Sequence, residues 1–147
     1  MVFNGYLGSI ASPFIEFHGK KWYRTGDIGR LDEQGTVHLT GRLKRFVKLG
    51  GEMISLGAVE DTLIKELQQR GLISAELPSI AVCSKEDPSG AQLILFATIP
   101  IEKEKANEIL KESGFSRLIK IGSVKHIQEI PLMGTGKTNY RSLQSLL

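Results

Sequence analysis

The chain has 147 residues, a formal net charge of +3, 41% hydrophobic and 24% charged residues, and a single cysteine. That balance belongs to a globular protein and sets aside wholesale disorder. Cys83 alone excludes an internal disulfide framework and a cysteine-based zinc site, and a charge of +3 is too mild to imply nucleic acid.

His18, His38 and His126 lie apart, without metal-ligand spacing, so no metal site is expected. The longest apolar run, residues 93–101, is broken by Thr98 and Pro100 and falls short of the ~20 residues of a spanning helix. Residues 1–10 carry no Lys or Arg and do not make a secretory n-region. The expectation is a soluble protein of a reducing compartment, about one domain in size. Glycine is in excess at 16 residues, crowded between Gly26 and Gly57 and again at Gly134 and Gly136. Such clusters mark tight turns or close backbone approach.

In chain order, residues 1–22 lack periodicity and predict irregular chain or strand ends, with Lys20 and Lys21 beside Trp22 as a surface turn. Ile28 and Leu31, the turn Asp32-Glu33-Gln34-Gly35, and alternating Val37 and Leu39 predict a β-hairpin. Gly41-Arg42-Leu43-Lys44-Arg45 is a basic, glycine-led junction. Phe46-Val47-Lys48-Leu49 and Met53-Ile54 predict a second hairpin about Gly50-Gly51. Ser55 is an N-cap for a helix with Leu56, Val59, Leu63, Ile64 and Leu67 on one face, Glu60 and Asp61 near its positive end, and Gly71 as its stop.

Residues 80–83 predict a strand, Asp87-Pro88-Ser89-Gly90 a turn, and residues 92–99 an apolar strand. Residues 102–113 predict a helix with Ala106, Ile109 and Leu110 inward, closed by Gly114. Residues 124–130 predict a third strand, halted by Pro131. Residues 138–147 predict two helical turns with Leu143, Leu146 and Leu147 on one side. The order from Met53 is β-α-β-β-α-β with a short terminal helix, a compact α+β unit, and the earlier hairpin has no place in it.

Three short segments carry chemistry. Gly134-Thr135-Gly136-Lys137-Thr138 invites a phosphate-loop reading, but the glycine that a P-loop requires five residues before the Gly-Lys pair is Pro131 here. A lysine on a glycine loop still suits a mobile positive charge offered to a phosphate or carboxylate, with a solvated lysine as the plainer alternative. In Tyr23-Arg24-Thr25-Gly26-Asp27 the carboxylate can accept from a ribose diol, or it can cap its own turn. Arg42, Lys44, Arg45 and Lys48 form the densest basic group, which reads as a solvated face or as a surface for an acidic partner. Cys83 reads as a small buried hydrophobe.

Taken in order, Tyr23-Arg24-Thr25-Gly26-Asp27, Gly41-Arg42-Leu43-Lys44-Arg45-Phe46-Val47-Lys48, Gly50-Gly51-Glu52-Met53-Ile54 and Pro131 through Gly136-Lys137 resemble the late motifs of the adenylate-forming enzymes. That superfamily holds acyl-CoA synthetases, nonribosomal-peptide adenylation domains and luciferases. The similarity runs from Gly5-Tyr6-Leu7 to Leu143. More narrowly, Lys44-Arg45-Phe46, Gly51-Glu52-Met53-Ile54-Ser55-Leu56 and Pro131-Leu132-Met133-Gly134-Thr135-Gly136-Lys137 resemble the acyl-[acyl carrier protein] synthetase part of bacterial enzymes that also reacylate 2-acylglycerophosphoethanolamine.

The resemblance implies a small C-terminal α+β domain, residues 44–147, carrying the catalytic lysine and preceded by residues 1–43, a hairpin stub of a large N-terminal domain. It implies that Asp27 holds the ribose hydroxyls of ATP and Arg42 supports the ribose and phosphate side. Lys44 stands at the hinge about which the small domain turns between half-reactions. Lys137 is the catalytic lysine of adenylation, and Lys48 with the Gly50-Gly51-Glu52 loop lines the acceptor thiol's entry after rotation.

The implied reaction is ATP-dependent fatty-acid activation, then thioester transfer to the phosphopantetheine thiol of acyl carrier protein, with coenzyme A as the alternative acceptor. Mg2+ accompanies ATP without ligands from this chain. The implied partners are the N-terminal adenylation domain and acyl carrier protein, with no nucleic acid and no membrane contact by this segment. The implied location is the cytoplasmic side of a bacterial cell, where upstream parts of a longer protein provide any inner-membrane tether. As a fragment the chain is expected to be nearly inactive. A non-catalytic basic binding module and P-loop nucleotide hydrolysis are the competing classes.

Two departures stand out. Lys44 occupies a position where many members carry Asp. Tyr140 occupies the place, three residues after Lys137, where the superfamily often has Arg, and Arg141 follows it. The superfamily's Ser/Thr/Gly-rich phosphate loop and aromatic-Gly-x-Thr-Glu motif are not in this sequence.

Overall fold

The computed structural model describes residues 12–88 and 90–147. The readings placed on Gly5, Gly8 and residues 1–10, and Ser89 of the expected turn, lie outside the described residues. The chain divides into two units between Lys44 and Arg45, one residue beyond the junction expected from the sequence.

In the first unit, β1 (Phe14–Phe17) and β2 (Lys20–Tyr23) form an antiparallel hairpin. Of the irregular chain or strand ends expected here, the described part is a hairpin, and the surface turn expected at Lys20 and Lys21 beside Trp22 is corrected: these are strand residues. The turn is His18-Gly19, both at positive φ (51° and 68°), the backbone that a two-residue hairpin turn with right-handed strand twist requires. Trp22 Nε1 donates to the Phe17 carbonyl at 3.1 Å, and Lys21 Nζ lies 4.3 Å from the Phe14 ring centre. Alternation failed as a signal because both faces of this hairpin are largely exposed in the unit.

The next hairpin, β3 (Asp27–Leu31) with β4 (Val37–Arg42), is the one the sequence predicts. Asp32 builds its turn by accepting from the amides of Gln34 (3.0 Å) and Thr36 (2.8 Å), and its other oxygen meets His38 Nε2 at 2.7 Å. That histidine contact, then the Thr36 amide, holds the Asp32 carboxyl below its ordinary range. A 3-10 turn, Leu43–Arg45, follows.

The second unit opens with β5 (Phe46–Leu49) and β6 (Glu52–Ser55), paired about Gly50 and Gly51, whose φ values of 55° and 93° meet the same turn requirement. The helix α1 (Leu56–Gln69) starts at Ser55, whose hydroxyl accepts from the Ala58 amide at 3.2 Å, and Leu56, Val59, Leu63 and Leu67 are buried. Replacing that cap, Ser55→Ala, is expected to lower stability by about 1 kcal/mol. A urea midpoint unchanged from wild type would show that the cap does not hold the helix end.

Strands β7 (Ile80–Asp87), β8 (Gly90–Ala97) and β9 (Ile121–His126) make one sheet in that order, β7–β8 antiparallel and β8–β9 parallel. The parallel step requires a crossover, and α2 (Lys103–Glu112) supplies it. Both sheet faces are covered, which explains continuous apolar runs instead of alternation. Ile80, Val82, Leu93, Leu95 and Ala97 pack with α1, α2, Val47 and Ile54. Ala81, Cys83, Ile94 and Phe96 pack with Ile130 and Leu143 on the opposite side. Cys83 is 2% exposed, and burial pushes its thiol up to about 11, so it behaves as the buried hydrophobe expected.

Two boundaries differ from expectation. β9 begins at Ile121, not Val124, because the Asn107 side chain of α2 both accepts from the Ile121 amide (2.7 Å) and donates to its carbonyl (3.0 Å). It ends at His126, and Ile130 leaves the sheet to fill the second core. The last helix, α3, is short (Tyr140–Gln144, capped by Asn139); Leu143 is buried but Leu146 is 52% exposed. No helix among the described residues is long and apolar enough to cross a membrane.

Candidate functional site

Asp27 and Arg42 are brought together by register. They are cross-strand partners at the open end of the β3–β4 hairpin, with Arg42 Nε 3.0 Å from Asp27 Oδ1. The turn before them is made without the aspartate: Thr25 Oγ1 accepts from the Asp27 amide at 3.0 Å, and Gly26, at φ 76°, accepts from the Leu43 amide through its carbonyl. The reading in which Asp27 caps its own turn is therefore replaced by a threonine doing so. The carboxylate is left to a side-chain partner.

Lys44 is exposed within the 3-10 turn and is the last residue of the first unit. Lys48 is exposed on β5 opposite Met53, and Gly50, Gly51 and Glu52 form the exposed tip and return of the same hairpin. A Cβ on Gly50 would stand 3.1 Å from Leu118 Cδ1, so the turn lies close against that side chain.

Lys137 sits on a closed loop. Leu132 bridges Thr138 in antiparallel fashion, the Met133 amide donates to the Lys137 carbonyl (2.7 Å), and the Asn139 amide donates to the Pro131 carbonyl (2.7 Å). The Gly136 amide is engaged by Met133 (2.8 Å), and φ there is 79°. These amides bond within the loop, and α3 behind it has five residues. That is not the anion-cradling geometry of a P-loop, in which free amides precede a long helix. Lys137 is exposed and forms no ion pair with a described residue.

The basic group at 42–48 is not one solvated face. Arg42 is paired with Asp27, while Arg45 turns inward to a cluster that residue patterns did not reveal. Glu60 is 7% exposed on the apolar stripe of α1. Its Oε2 accepts from Arg45 Nη2 at 3.1 Å and from the Val82 amide at 2.6 Å, and its Oε1 accepts from the Tyr140 hydroxyl. Arg45 Nη1 donates to the Val82 carbonyl at 2.7 Å, and its guanidinium lies 3.8 Å over the Tyr140 ring.

Because β7 is an edge strand, the free N–H and C=O of Val82 face outward, and this ion pair satisfies both. Burial first, then the bond to Glu60 and its negative charge, keep the Tyr140 phenol protonated well above its ordinary range. Glu60 was expected to serve the helix dipole; it serves a tertiary network instead. The available signal was its spacing, four residues from both Leu56 and Ile64 on the buried side.

Among the described residues there is no cluster of three or more His, Cys, Asp or Glu fit to hold a metal ion. No family model matches the chain. A dimodular nonribosomal peptide synthase of Bacillus subtilis is 31% identical over 150 residues, covering 95% of this chain and 6% of that protein. The mitochondrial medium-chain acyl-CoA ligase of Mus musculus is 42% identical over 67 residues, 46% of this chain and 11% of that protein. The chain thus spans a small fraction of the relatives it matches.

Two solved structures superpose well. The o-succinylbenzoate CoA synthetase of Bacillus subtilis, in complex with its acyl-adenylate intermediate, gives a TM-score of 0.66 at 20% identity over 88% of this chain and 25% of that one. A fatty acyl CoA synthetase of Mycobacterium tuberculosis gives 0.61 at 23% identity over 89% of this chain and 25% of that one. By these likenesses the chain has the C-terminal domain fold of the adenylate-forming enzymes.

Proposed function

We propose that this chain is the lysine-bearing C-terminal part of a larger ATP-dependent enzyme that activates a fatty acid as its acyl-adenylate and then passes the acyl group to the phosphopantetheine thiol of acyl carrier protein. The observation that carries the reading is Lys137: an exposed ammonium without an ion-pair partner among the described residues, on a loop closed by three backbone hydrogen bonds, within this fold. A lysine so presented stabilises the charge that develops as a carboxylate attacks the α-phosphate and pyrophosphate departs.

In this reading Asp27 takes a ribose hydroxyl while Arg42, holding Oδ1, orients the carboxylate. ATP carries its Mg2+ without ligands from this chain. Lys44 is the pivot, and turning about it exchanges Lys137 for the hairpin of Lys48, Gly50, Gly51 and Glu52, which lines the path of the incoming thiol. The large N-terminal adenylation domain supplies the fatty-acid pocket, and the cytoplasmic side of a bacterial cell is where such an enzyme meets ATP and carrier protein. Transfer to coenzyme A is the second reading, favoured by the likeness to the acyl-CoA ligase. A purely basic binding module is disfavoured, because Arg42 and Arg45 are each engaged with a carboxylate.

The test uses the intact polypeptide that carries this chain, with ATP, a fatty acid and labelled pyrophosphate. Fatty-acid-dependent exchange of label into ATP, followed by thioester on holo carrier protein and none on coenzyme A, is the expected result. Thioester on coenzyme A alone would install the second reading. ATP cleavage to ADP without exchange would remove both.

A further inference from the structure

We propose that Tyr140 and Glu60 are positioning residues for Lys137, acting through the loop that carries it; this rests on the reading of Lys137 as the adenylation lysine. The Lys137 ammonium has no ion-pair partner among the described residues, so its placement is set by the backbone. The entering limb of the loop is held by Ile130, 5% exposed in the second core. The returning limb runs straight into α3, five residues long, and a helix of that length has little stability of its own. It is held by Leu143, fully buried, by Gln144 Nε2 donating to the Ser84 carbonyl at 2.9 Å, and, at the end next to the loop, by Tyr140, whose side chain enters the Glu60–Arg45 cluster.

Tyr140 follows Lys137 by three residues, at most ~11 Å of chain. The Asn139 amide next to it makes the bond to Pro131 that closes the loop. A shift of Tyr140 is therefore transmitted to the closing bond and to Lys137. Glu60 is itself fixed by Arg45 and by the Val82 amide of a sheet strand, so the phenol is tied to the sheet and not to a mobile side chain. A protonated phenol is the correct partner, since it donates to Glu60 while its ring accepts the Arg45 cation on its face.

Tyr140→Phe removes the hydroxyl and keeps the ring, so the fold is retained. In the intact polypeptide, hydrogen exchange of the Met133, Gly136 and Asn139 amides is expected to rise about tenfold, a hydrogen bond's worth, while the amides of β8 stay protected. Adenylation should slow by about 10- to 100-fold at unchanged KM for ATP, as expected of a misplaced catalytic group, and thioester formation from added adenylate should persist.

Unchanged loop exchange with unchanged adenylation overturns the proposal. So does a uniform rise in exchange with both half-reactions falling in proportion, since that is loss of stability alone. Lys137→Ala in the same assay separates the two readings. If it retains adenylation, the role given to Lys137 fails and the positioning role fails with it. If it loses adenylation while Tyr140→Phe keeps the wild-type rate, only the positioning role fails.

Discussion

Lys137→Ala in the intact polypeptide is expected to reduce acyl-adenylate formation by about 10²- to 10³-fold, the scale on which removal of one preorganised donor to developing charge acts. The same variant supplied with preformed acyl-adenylate should form thioester at close to the wild-type rate, because carboxylate attack on phosphorus is already complete. The asymmetry follows from chemistry: a cation aimed at a phosphoryl transition state has no task when a thiol attacks an acyl carbon. Pyrophosphate exchange reads the first step, and thioester from added adenylate reads the second. Equal loss of both would mean that Lys137 holds the domain together or binds a shared part of the ligand, and the assigned role would not stand. The exposed setting of Lys137, without an ion pair to a described residue, argues that its removal leaves the fold intact.

Glu60→Ala is expected to lower stability by about 3–5 kcal/mol, roughly a fifth or more of the ~5–15 kcal/mol that holds a domain folded. The loss has three parts. Arg45, whose side chain is 17% exposed, keeps its charge without a carboxylate; the Val82 amide on the edge of β7 loses its acceptor; and the Tyr140 hydroxyl loses its partner. Glu104→Ala provides the contrast. Its carboxylate is 72% exposed and 3.8 Å from Lys103, so solvent screens the pair and under ~1 kcal/mol is at stake. Urea unfolding of the three proteins measures the difference. A Glu60→Ala loss no larger than that of Glu104→Ala would mean that water enters the cavity and replaces the carboxylate.

Much of the fold was readable because its signals are local. Ser55 announces α1, Gly50-Gly51 announces the β5–β6 turn, and Gly71 and Gly114 take positive φ just beyond the two longer helices. The hairpin of Asp27–Leu31 and Val37–Arg42 was legible from alternation around an Asx-type turn at Asp32. The hairpin of Phe14–Phe17 and Lys20–Tyr23 was not, since its strands do not alternate between a buried and an exposed face. The start of β9 is not written locally either. It is fixed by Asn107, fourteen residues away, and no feature of residues 121–123 records that bond.

The α+β order, the caps and turns, and the short segments that carry Asp27, Arg42, Lys44, the Gly50–Gly51 turn and Lys137 are all written locally, because each depends on neighbours a few residues apart. Nothing local reveals that Arg45 turns inward, away from its basic neighbours, that Glu60 belongs to a network and not to a helix end, or that Tyr140 closes it. Those partners stand 15 and 80 residues apart along the chain. Their meeting is imposed by the packing of α1 and α3 about an edge strand whose unpaired amide and carbonyl at Val82 required a donor and an acceptor in one place.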